Sequence, residues 1–165
     1  MTDTTNDERQ HVAKLVRRAK VAMLTTTTAQ GKHVSRPMGL QEADFDGDLW
    51  FFAYDDSAKV AHIRATPEVN VSFTDSKHHS WTSIAGRAQV VQDRRKAEEL
   101  YSPTLQAWFP DGLQTPGLTL IKVEADTAEY WEGPTSTVAW VAGNLRAVVT
   151  RNPSNDPIRN NTVGL

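Results

Sequence analysis

The sequence predicts a mainly β protein (β+α), in which six or seven mostly antiparallel strands form a barrel with helices at its periphery. Runs of β-forming residues recur along the chain and are separated by turn signals such as Ala29-Gln30-Gly31 and Asp46-Gly47. The helical segments between these runs are short, which favours an antiparallel barrel over a parallel α/β sheet. At 165 residues the chain has the length of one domain with one substantial core.

The chain is predicted to begin with a helix and a β-hairpin. Thr5-Asn6-Asp7-Glu8 has the pattern of a capping box, which marks a helix start. Apolar residues with helical spacing follow it, namely Val12, Leu15, Val16 and Ala19. Residues 21–27 and 33–40 are then the two strands of a hairpin around Ala29-Gln30-Gly31.

The middle of the chain is predicted to contain three strands and a short helix. Residues 49–53 are continuously apolar, which is typical of a strand buried on both faces. Ser57 is a candidate N-cap for a helix that Pro67 ends. Two further strands follow at 69–73 and 81–92, the second with a probable bulge at Gly86.

The last part of the chain is predicted to contain two helices and two strands. Asp93 caps a helix over 94–101, strands cover 118–123 and 128–131, and an amphipathic helix covers 136–148. We expect a single domain over residues 1–150. Residues 151–165 are rich in Asn and Pro without periodicity, which predicts an extended or partly disordered C-terminal arm.

Composition narrows the classes of function. With 18 Lys+Arg and 20 Asp+Glu the net charge is -2, so the chain lacks a global basic field for nucleic acid or an acidic membrane. The absence of cysteine excludes disulfides, thiolate metal sites and cysteine nucleophiles. No signal core or membrane-spanning apolar run is found. We therefore expect a cytoplasmic protein with no membrane and no nucleic-acid partner.

The sequence contains no familiar catalytic motif and no metal-ligand spacing. The dinucleotide-binding, phosphate-loop, zinc-protease and serine-hydrolase patterns are all absent. Of the five histidines only His78 and His79 are adjacent, and neighbours on a strand point to opposite faces. No metal site is expected, and no side chain is assigned as a catalytic acid or base.

Two cations and a hydroxyl form a candidate phosphate site. Arg36 lies near the end of the second predicted strand, and Ser57 and Lys59 open the helix after the third. A helix N-terminus beside an arginine and a lysine suits a phosphomonoester, because a guanidinium offers a planar fork and an ammonium a point charge. On composition alone the evidence is weak, since surface cations are usually solvated.

A set of short blocks in a fixed order supports this site. The blocks are Ser35-Arg36-Pro37-Met38, 46–52, Ser57-Ala58-Lys59-Val60, 67–71, 83–88, 108–112 and Glu129-Tyr130-Trp131. Together they resemble the FMN-binding split β-barrel of the pyridoxamine 5′-phosphate oxidase superfamily, and more narrowly its general-stress-protein branch. Each block alone is unspecific, but the ordered set covers roughly residues 8–135.

The resemblance implies that FMN lies in a cleft between the two subunits of a homodimer. Arg36 and Lys59 would hold the phosphate, with Ser57 as a hydroxyl donor. The backbone of Pro37 and Met38 would run along the flavin ring. An alternative interpretation of Met38 is a residue that fills the core.

Further residues are assigned to the flavin by the same resemblance. Phe52 and Ala53 would flank the ring or the ribityl chain, with ordinary barrel core as the alternative. Trp81 and Ser83 would lie near the flavin on one face of a strand, and Trp131 would reach it from the other subunit. The two tryptophans are also open to interpretation as interface aromatics without a flavin contact.

This sequence differs from the true oxidases at the positions that bind the pyridoxal substrate. The true oxidases follow their late tryptophan with an Arg-x-His element for the pyridoxal substrate, and nothing of that kind follows Trp131. Gln41 stands where those enzymes place a substrate-binding lysine. Oxidation of pyridoxine phosphate is therefore not expected, although the FMN half of the pattern is kept.

The resemblance leaves several functions open. The first is a small FMN-dependent oxidoreductase with a small-molecule electron donor, such as NAD(P)H, and an unidentified acceptor. The second is a flavin-binding or flavin-buffering stress protein without turnover. Other relatives with this barrel bind haem or use a deazaflavin coenzyme. The acidic tail of a deazaflavin would require further cations, for which Arg64 and Lys77 are candidates. A nucleic-acid binder with a similar barrel is disfavoured by the acidic composition.

Overall fold

One antiparallel sheet and its flanking helices make up the described part of the chain. The computed structural model describes residues 2–41, 47–134 and 158–165. The strands are β1 (Val21–Thr27), β2 (His33–Gly39), β3 (Asp48–Tyr54), β4 (Glu68–Asp75), β5 (Ser80–Val91), β6 (Leu118–Glu132) and β7 (Arg159–Gly164). The helices are α1 (Thr2–Ala19), α2 (Ala58–Ala65) and α3 (Arg94–Leu100), with short 3-10 helices at Pro103–Ala107 and Gly112–Gln114. The predicted class, a mainly β split barrel with peripheral helices, is confirmed.

The strand order brings the two ends of the sheet together. The order is β2-β1-β4-β5-β6-β3, and β7 pairs with the second half of β6. Although β2 and β3 stand at opposite ends of this order, a backbone hydrogen bond of 3.4 Å runs from the Gln41 N–H to the Trp50 C=O. The sheet therefore curls toward a barrel, as its twist and length favour.

The last two predicted strands are in fact one strand. Residues 118–123 and 128–131 both belong to β6, so the prediction of a break between them is wrong. The register of β5 on β6 shifts between Ala85 and Gly86, which pair with Thr127 and Ala125. Asp126 is the extra residue that the bulge accommodates, and pairing resumes on both sides of it. The sequence thus located the irregularity correctly at Gly86, but the extra residue belongs to β6 and not to β5.

The sequence predicted the apolar face of α1 and the cap of α3 correctly, but not the start of α1. The stripe Val12, Leu15 and Val16 is buried as predicted. However, α1 begins at Thr2, so the helix start predicted at Thr5 is wrong. Asp93 caps α3 by accepting a hydrogen bond of 2.9 Å from the Lys96 N–H, as predicted.

Some predictions fall outside the described residues. These are the amphipathic helix over 136–148 and most of the turn at 44–48. Of the predicted C-terminal arm, the part that is described forms β7, which pairs residue by residue with Thr127 to Glu132. The division into a domain of 1–150 and an arm of 151–165 stays a prediction.

Two apolar clusters lie on opposite faces of β3. The main core fills the space between the inner face of the sheet and helices α1 and α2, and includes Leu24, Ala53, Val60, Ile84 and Ile121. The second cluster consists of Phe52, Ala97, Leu100, Leu105, Phe109 and Leu120. Because neighbours on a strand point to opposite faces, Phe52 and Ala53 belong to different clusters.

A buried hydroxyl beside the second cluster has no partner. Thr115 lines a cavity of about 250 Å³ next to Phe52, and its Oγ1 makes no hydrogen bond among the described residues. An unsatisfied buried hydroxyl costs roughly 1–3 kcal/mol. Thr115→Val keeps the shape and removes that cost, so we expect the free energy of unfolding to rise by about 1 kcal/mol.

Chemical denaturation measures this effect, and Thr119→Val is the matched control. The Thr119 hydroxyl is also buried, but it donates to the Val91 C=O at 3.2 Å. Its removal leaves that hydrogen bond unmade and is expected to lower stability by about 1 kcal/mol. Equal losses in both variants would contradict an unpartnered Thr115 hydroxyl.

Candidate functional site

Strand β2 places Arg36 on the inner side of the sheet. Arg36 pairs with Leu24 of β1, and its side chain lies across that strand. Its Nη1 donates hydrogen bonds to the Leu24 C=O at 3.0 Å and to Thr26 Oγ1 at 2.8 Å. The guanidinium is thus held by the barrel and is not free in solvent, unlike an ordinary surface cation.

Helix α2 places Lys59 and Ser57 beside this arginine. Ser57 stands at the N-cap position, but its hydroxyl donates to the Tyr54 C=O at 2.6 Å and makes no cap hydrogen bond. The prediction that its side chain caps the helix is therefore wrong. The first turn of α2 also contains no acidic residue, so no carboxylate within that turn neutralises the partial positive charge of its N-terminal N–H groups. We call Arg36, Ser57 and Lys59 the phosphate cradle.

The electrostatics of the cradle show that its two cations lie close together. Burial lowers the pKa of Lys59, and the neighbouring charge of Arg36 lowers that pKa further. Burial also lowers the pKa of Arg36. Within the described ranges, neither cation forms an ion pair with a carboxylate. The nearby carboxylate of Asp55 is bound by Arg64.

The cradle consequently holds positive charge that the described protein does not balance. Two desolvated like charges raise each other's energy, and an anion between them would lower it. A phosphate fits in charge and in hydrogen-bonding geometry, since it offers several acceptor oxygens to a fork and to a point charge.

Trp81, Ser83 and Trp131 form a second group of candidate residues, on the other side of the sheet. Trp81 of β5 and Trp131 of β6 are direct cross-strand partners, so their side chains share one face. Both rings are half-buried, and Ser83 lies on the same face of β5. The Ser83 hydroxyl accepts a hydrogen bond of 2.8 Å from Asn70 Nδ2. The structure therefore brings these three residues together.

The remaining candidates divide between the two faces of the sheet. Met38 lies in the main core beside Ala22, whereas Pro37 is exposed on the outer face, opposite Met23. Ala53 is packed into the main core. Phe52 packs against Phe109 with ring centroids 6.1 Å apart, in the second cluster. The side chains of Met38, Phe52 and Ala53 are occupied by packing, so these residues would line a cofactor with their backbone.

Sequence reasoning missed two residues behind the cradle. Thr26 is fully buried, and its Oγ1 lies 3.0 Å from Nδ1 of His62. Two signals were available: Thr26 alternates with Leu24 on β1, and His62 follows Lys59 by three residues on α2. Neither signal reveals that the strand and the helix meet at this point.

The described residues contain neither a cluster of metal-binding side chains nor a helix able to span a membrane. No group of three or more His, Asp or Glu side chains is placed to hold a metal ion within the described ranges. None of the helices in this part of the chain has the length and apolar character needed to cross a membrane.

Comparison with known proteins gives consistent matches. The family model described as pyridoxamine 5′-phosphate oxidase like matches residues 7–155. Protein bli-3 of Neurospora crassa is 32% identical over 145 residues, which cover 82% of this chain and 69% of that protein. The general stress FMN/FAD binding protein of Xanthomonas citri is 28% identical with a TM-score of 0.69, covering 80% of this chain and 93% of that one. A structure from Jannaschia sp. CCS1 at 20% identity has a TM-score of 0.74, covers 98% of this chain and 99% of its own, and shows the same fold.

Proposed function

The chain belongs to the pyridoxamine 5′-phosphate oxidase-like family, and from this we propose that it is a homodimeric general-stress flavoprotein that holds FMN by its phosphate. The observation that carries the proposal is the pair of partly buried cations, Arg36 and Lys59, without a carboxylate partner in the described residues. A phosphomonoester carries about -1.5 to -2 charges near neutral pH, which matches the charge of this pair.

The residues of the cradle fit the phosphate end of FMN. Arg36 and Lys59 would bind the phosphate oxygens, and the N-terminal N–H groups of α2 would add a partial positive charge. Ser57 would join them if its hydroxyl turned from the Tyr54 carbonyl. The bound flavin would supply the hydride or electron chemistry, and the protein would bind and orient it.

FMN is favoured over a deazaflavin coenzyme by the pairing of nearby charges. The acidic tail of a deazaflavin requires cations beyond the phosphate site, for which Arg64 and Lys77 are the candidates. The Arg64 guanidinium is already bound to Asp55, which leaves Lys77. The relative from Xanthomonas citri, described as a general stress FMN/FAD binding protein, points in the same direction.

A second copy of the chain is part of the proposal. Exposed or half-buried apolar side chains lie on the outer face of the sheet: Met23, Pro37, Trp81 and Trp131. Aromatic residues and methionine are enriched where protein surfaces meet. In the proposed dimer Trp131 would reach the flavin of the partner subunit, as the family resemblance implies. Light scattering should then give twice the mass of one chain.

We propose oxidoreductase activity as the function of the bound flavin, with a small-molecule donor and acceptor. None of the residues assigned to the site is an acid or base placed for the flavin ring, so the reaction would depend on the flavin and on access to it. Anaerobic mixing with NADH or NADPH tests this part. Bleaching of the flavin supports an oxidoreductase, whereas a flavin that stays oxidised supports a binding protein.

A cytoplasmic location belongs to the same proposal and is tested by fractionating cells that produce the protein.

The visible spectrum of the purified protein is the first test of flavin binding. We expect a yellow protein, or a colourless one that quenches the fluorescence of added FMN with a stoichiometry of one per chain. Affinity in the micromolar range or tighter corresponds to about 8 kcal/mol, which a phosphate held by two cations and a ring held by backbone can supply. Protein that is colourless and leaves FMN fluorescence unchanged would refute the proposed function.

A further inference from the structure

We propose that Thr26 and His62 are positioning residues that fix the guanidinium of Arg36 and thereby set a preference for FMN over the same flavin without its phosphate. The inference rests on the proposed function, because it concerns the same cradle. It goes beyond that function in naming what holds the cradle in shape. The evidence is a chain of hydrogen bonds from α2 through β1 to β2.

One edge of the Arg36 guanidinium remains available for a ligand. A guanidinium has five N–H donors, two of them on Nη1. Both Nη1 donors are used, one by the Leu24 C=O and one by Thr26 Oγ1. The Nε and Nη2 donors have no partner among the described residues. Of these three N–H groups, the one on Nε and one on Nη2 are parallel, which is the arrangement that binds phosphate in a bidentate manner.

Thr26 is suited to this role by its own surroundings. Its hydroxyl accepts the hydrogen bond from Arg36, so its single proton is available for Nδ1 of His62 at 3.0 Å. This second hydrogen bond orients the hydroxyl with a lone pair toward the guanidinium. Because Thr26 is fully buried, the orientation does not compete with water.

His62 links the two cations of the cradle. It follows Lys59 by three residues, so both side chains lie on the same side of α2. The helix that carries Lys59 therefore also holds Thr26, and through Thr26 it holds Arg36. The distance between the two cations is set by this connection, and their fit to one phosphate depends on it.

The preference for FMN over riboflavin arises because a fixed Arg36 adds binding free energy only at the phosphate. Riboflavin shares the ring and ribityl chain of FMN but lacks the phosphate. A fixed Arg36 edge strengthens only the contacts to the phosphate, since less side-chain freedom is lost when they form. Loosening Arg36 should accordingly weaken FMN and leave riboflavin unaffected.

The test compares the dissociation constants of FMN and riboflavin in four proteins. Thr26→Val removes the hydroxyl at nearly constant volume, and we expect FMN binding to weaken about tenfold while riboflavin changes less than about twofold. Thr26→Ser restores the hydroxyl and should return the ratio of the two constants to within about threefold of the wild type. Thr115→Val is the matched control, because it removes a buried hydroxyl without a partner, and it should leave the ratio unchanged.

Replacement of His62 tests the next link. His62→Leu leaves the Thr26 hydroxyl in place but removes its partner, so we expect the same loss of FMN preference at about threefold. If Thr26→Val does not fold, Arg36→Lys tests the same edge. It keeps the charge but cannot offer a phosphate two parallel N–H groups while it also binds Leu24 and Thr26, and should also weaken FMN relative to riboflavin.

The outcomes separate this inference from the proposed function. Equal weakening of FMN and riboflavin in Thr26→Val would mean a purely structural role and would overturn the inference. An unchanged ratio in both Thr26→Val and His62→Leu would overturn it as well. If the wild-type protein binds neither flavin, the proposed function itself fails.

Discussion

Replacing Arg36 and Lys59 together by alanine is expected to weaken FMN binding about a thousandfold. A hydrogen bond to a charged group contributes roughly 1.5–3 kcal/mol, so the loss of two cations removes about 4 kcal/mol. Each single substitution should cost about thirtyfold on the same basis. Titration of FMN fluorescence at constant ionic strength measures the effect, and riboflavin serves as the ligand that the change should spare.

The unliganded double variant should stay within about 1 kcal/mol of the wild type in stability, because relief of the repulsion between the cations offsets the loss of the Arg36 hydrogen bonds to Leu24 and Thr26. Lys59 has a lower pKa in the folded protein than its ordinary value, first because of burial and then because of Arg36. A lysine whose folded pKa is lowered destabilises the fold while it is charged, and stability rises as the pH increases toward the unfolded value. Removing the two mutually repelling cations relieves this cost. A variant that loses both FMN binding and stability would instead indicate structural damage.

Arg87→Ala is the matched control for this prediction. Arg87 is an exposed cation that pairs with Glu68 at 2.7 Å, so its charge is balanced without a ligand. Its removal should leave the FMN dissociation constant within about twofold, because exposed ion pairs contribute little. If Arg87→Ala weakened FMN as much as the double variant, the loss would reflect overall charge and not the cradle.

Local sequence patterns were sufficient to predict most strands and helices. Alternating burial appears in β4 and β5 as the sequence indicated, and the β1–β2 hairpin turns at Gly31 with φ of +76°. The failure in β6 has a physical cause. Asp126 interrupts the apolar pattern, and only the pairing with β5, which leaves Asp126 as an extra residue between the partners of Ala85 and Gly86, shows that the strand continues. Long-range pairing of this kind leaves no local signal.

The composition of the cradle could be predicted, but its support could not. Arg36, Ser57 and Lys59 stand in short blocks whose order is informative. The Thr26–His62 contact joins residues 36 positions apart and exists only once β1 and α2 pack together. The orientation of the Ser57 hydroxyl likewise depends on the carbonyl of Tyr54 in the preceding turn.

The apolar run of β3 illustrates another limit of the sequence. Phe52 and Ala53 are both apolar, and nothing local distinguishes the side of the strand that each faces. In the structure one packs on α3 and the following 3-10 helix, and the other packs in the main core. Both side chains are nearly inaccessible, at 5% and 2% exposure. A strand covered on both faces thus offers a cofactor its backbone more readily than its side chains.

Gly86→Ala is expected to lower the free energy of unfolding by about 3 kcal/mol. A Cβ atom at this position would lie 2.2 Å from the Glu124 carbonyl oxygen and 3.1 Å from the Ala125 Cα. Both atoms belong to the backbone of β6, so no side chain can turn aside to make room. Relief requires β5 and β6 to separate at the bulge, which breaks ladder hydrogen bonds on both sides of it. Urea denaturation at several wavelengths measures the change.

Gly39→Ala is the matched control, since a Cβ on that strand glycine meets no atom within 4 Å. Its effect should stay within about 0.5 kcal/mol.

The second half of β6 contains Trp131 and all the residues that pair with β7. Gly86 of β5 pairs with Ala125, at the point where this half begins. Separation at the bulge should therefore expose Trp131 before the main core unfolds, and tryptophan fluorescence should change at lower urea than circular dichroism. If Gly86→Ala gave coincident transitions at the same urea midpoint as Gly39→Ala, a Cβ at position 86 would cause no strain, and this prediction would be wrong.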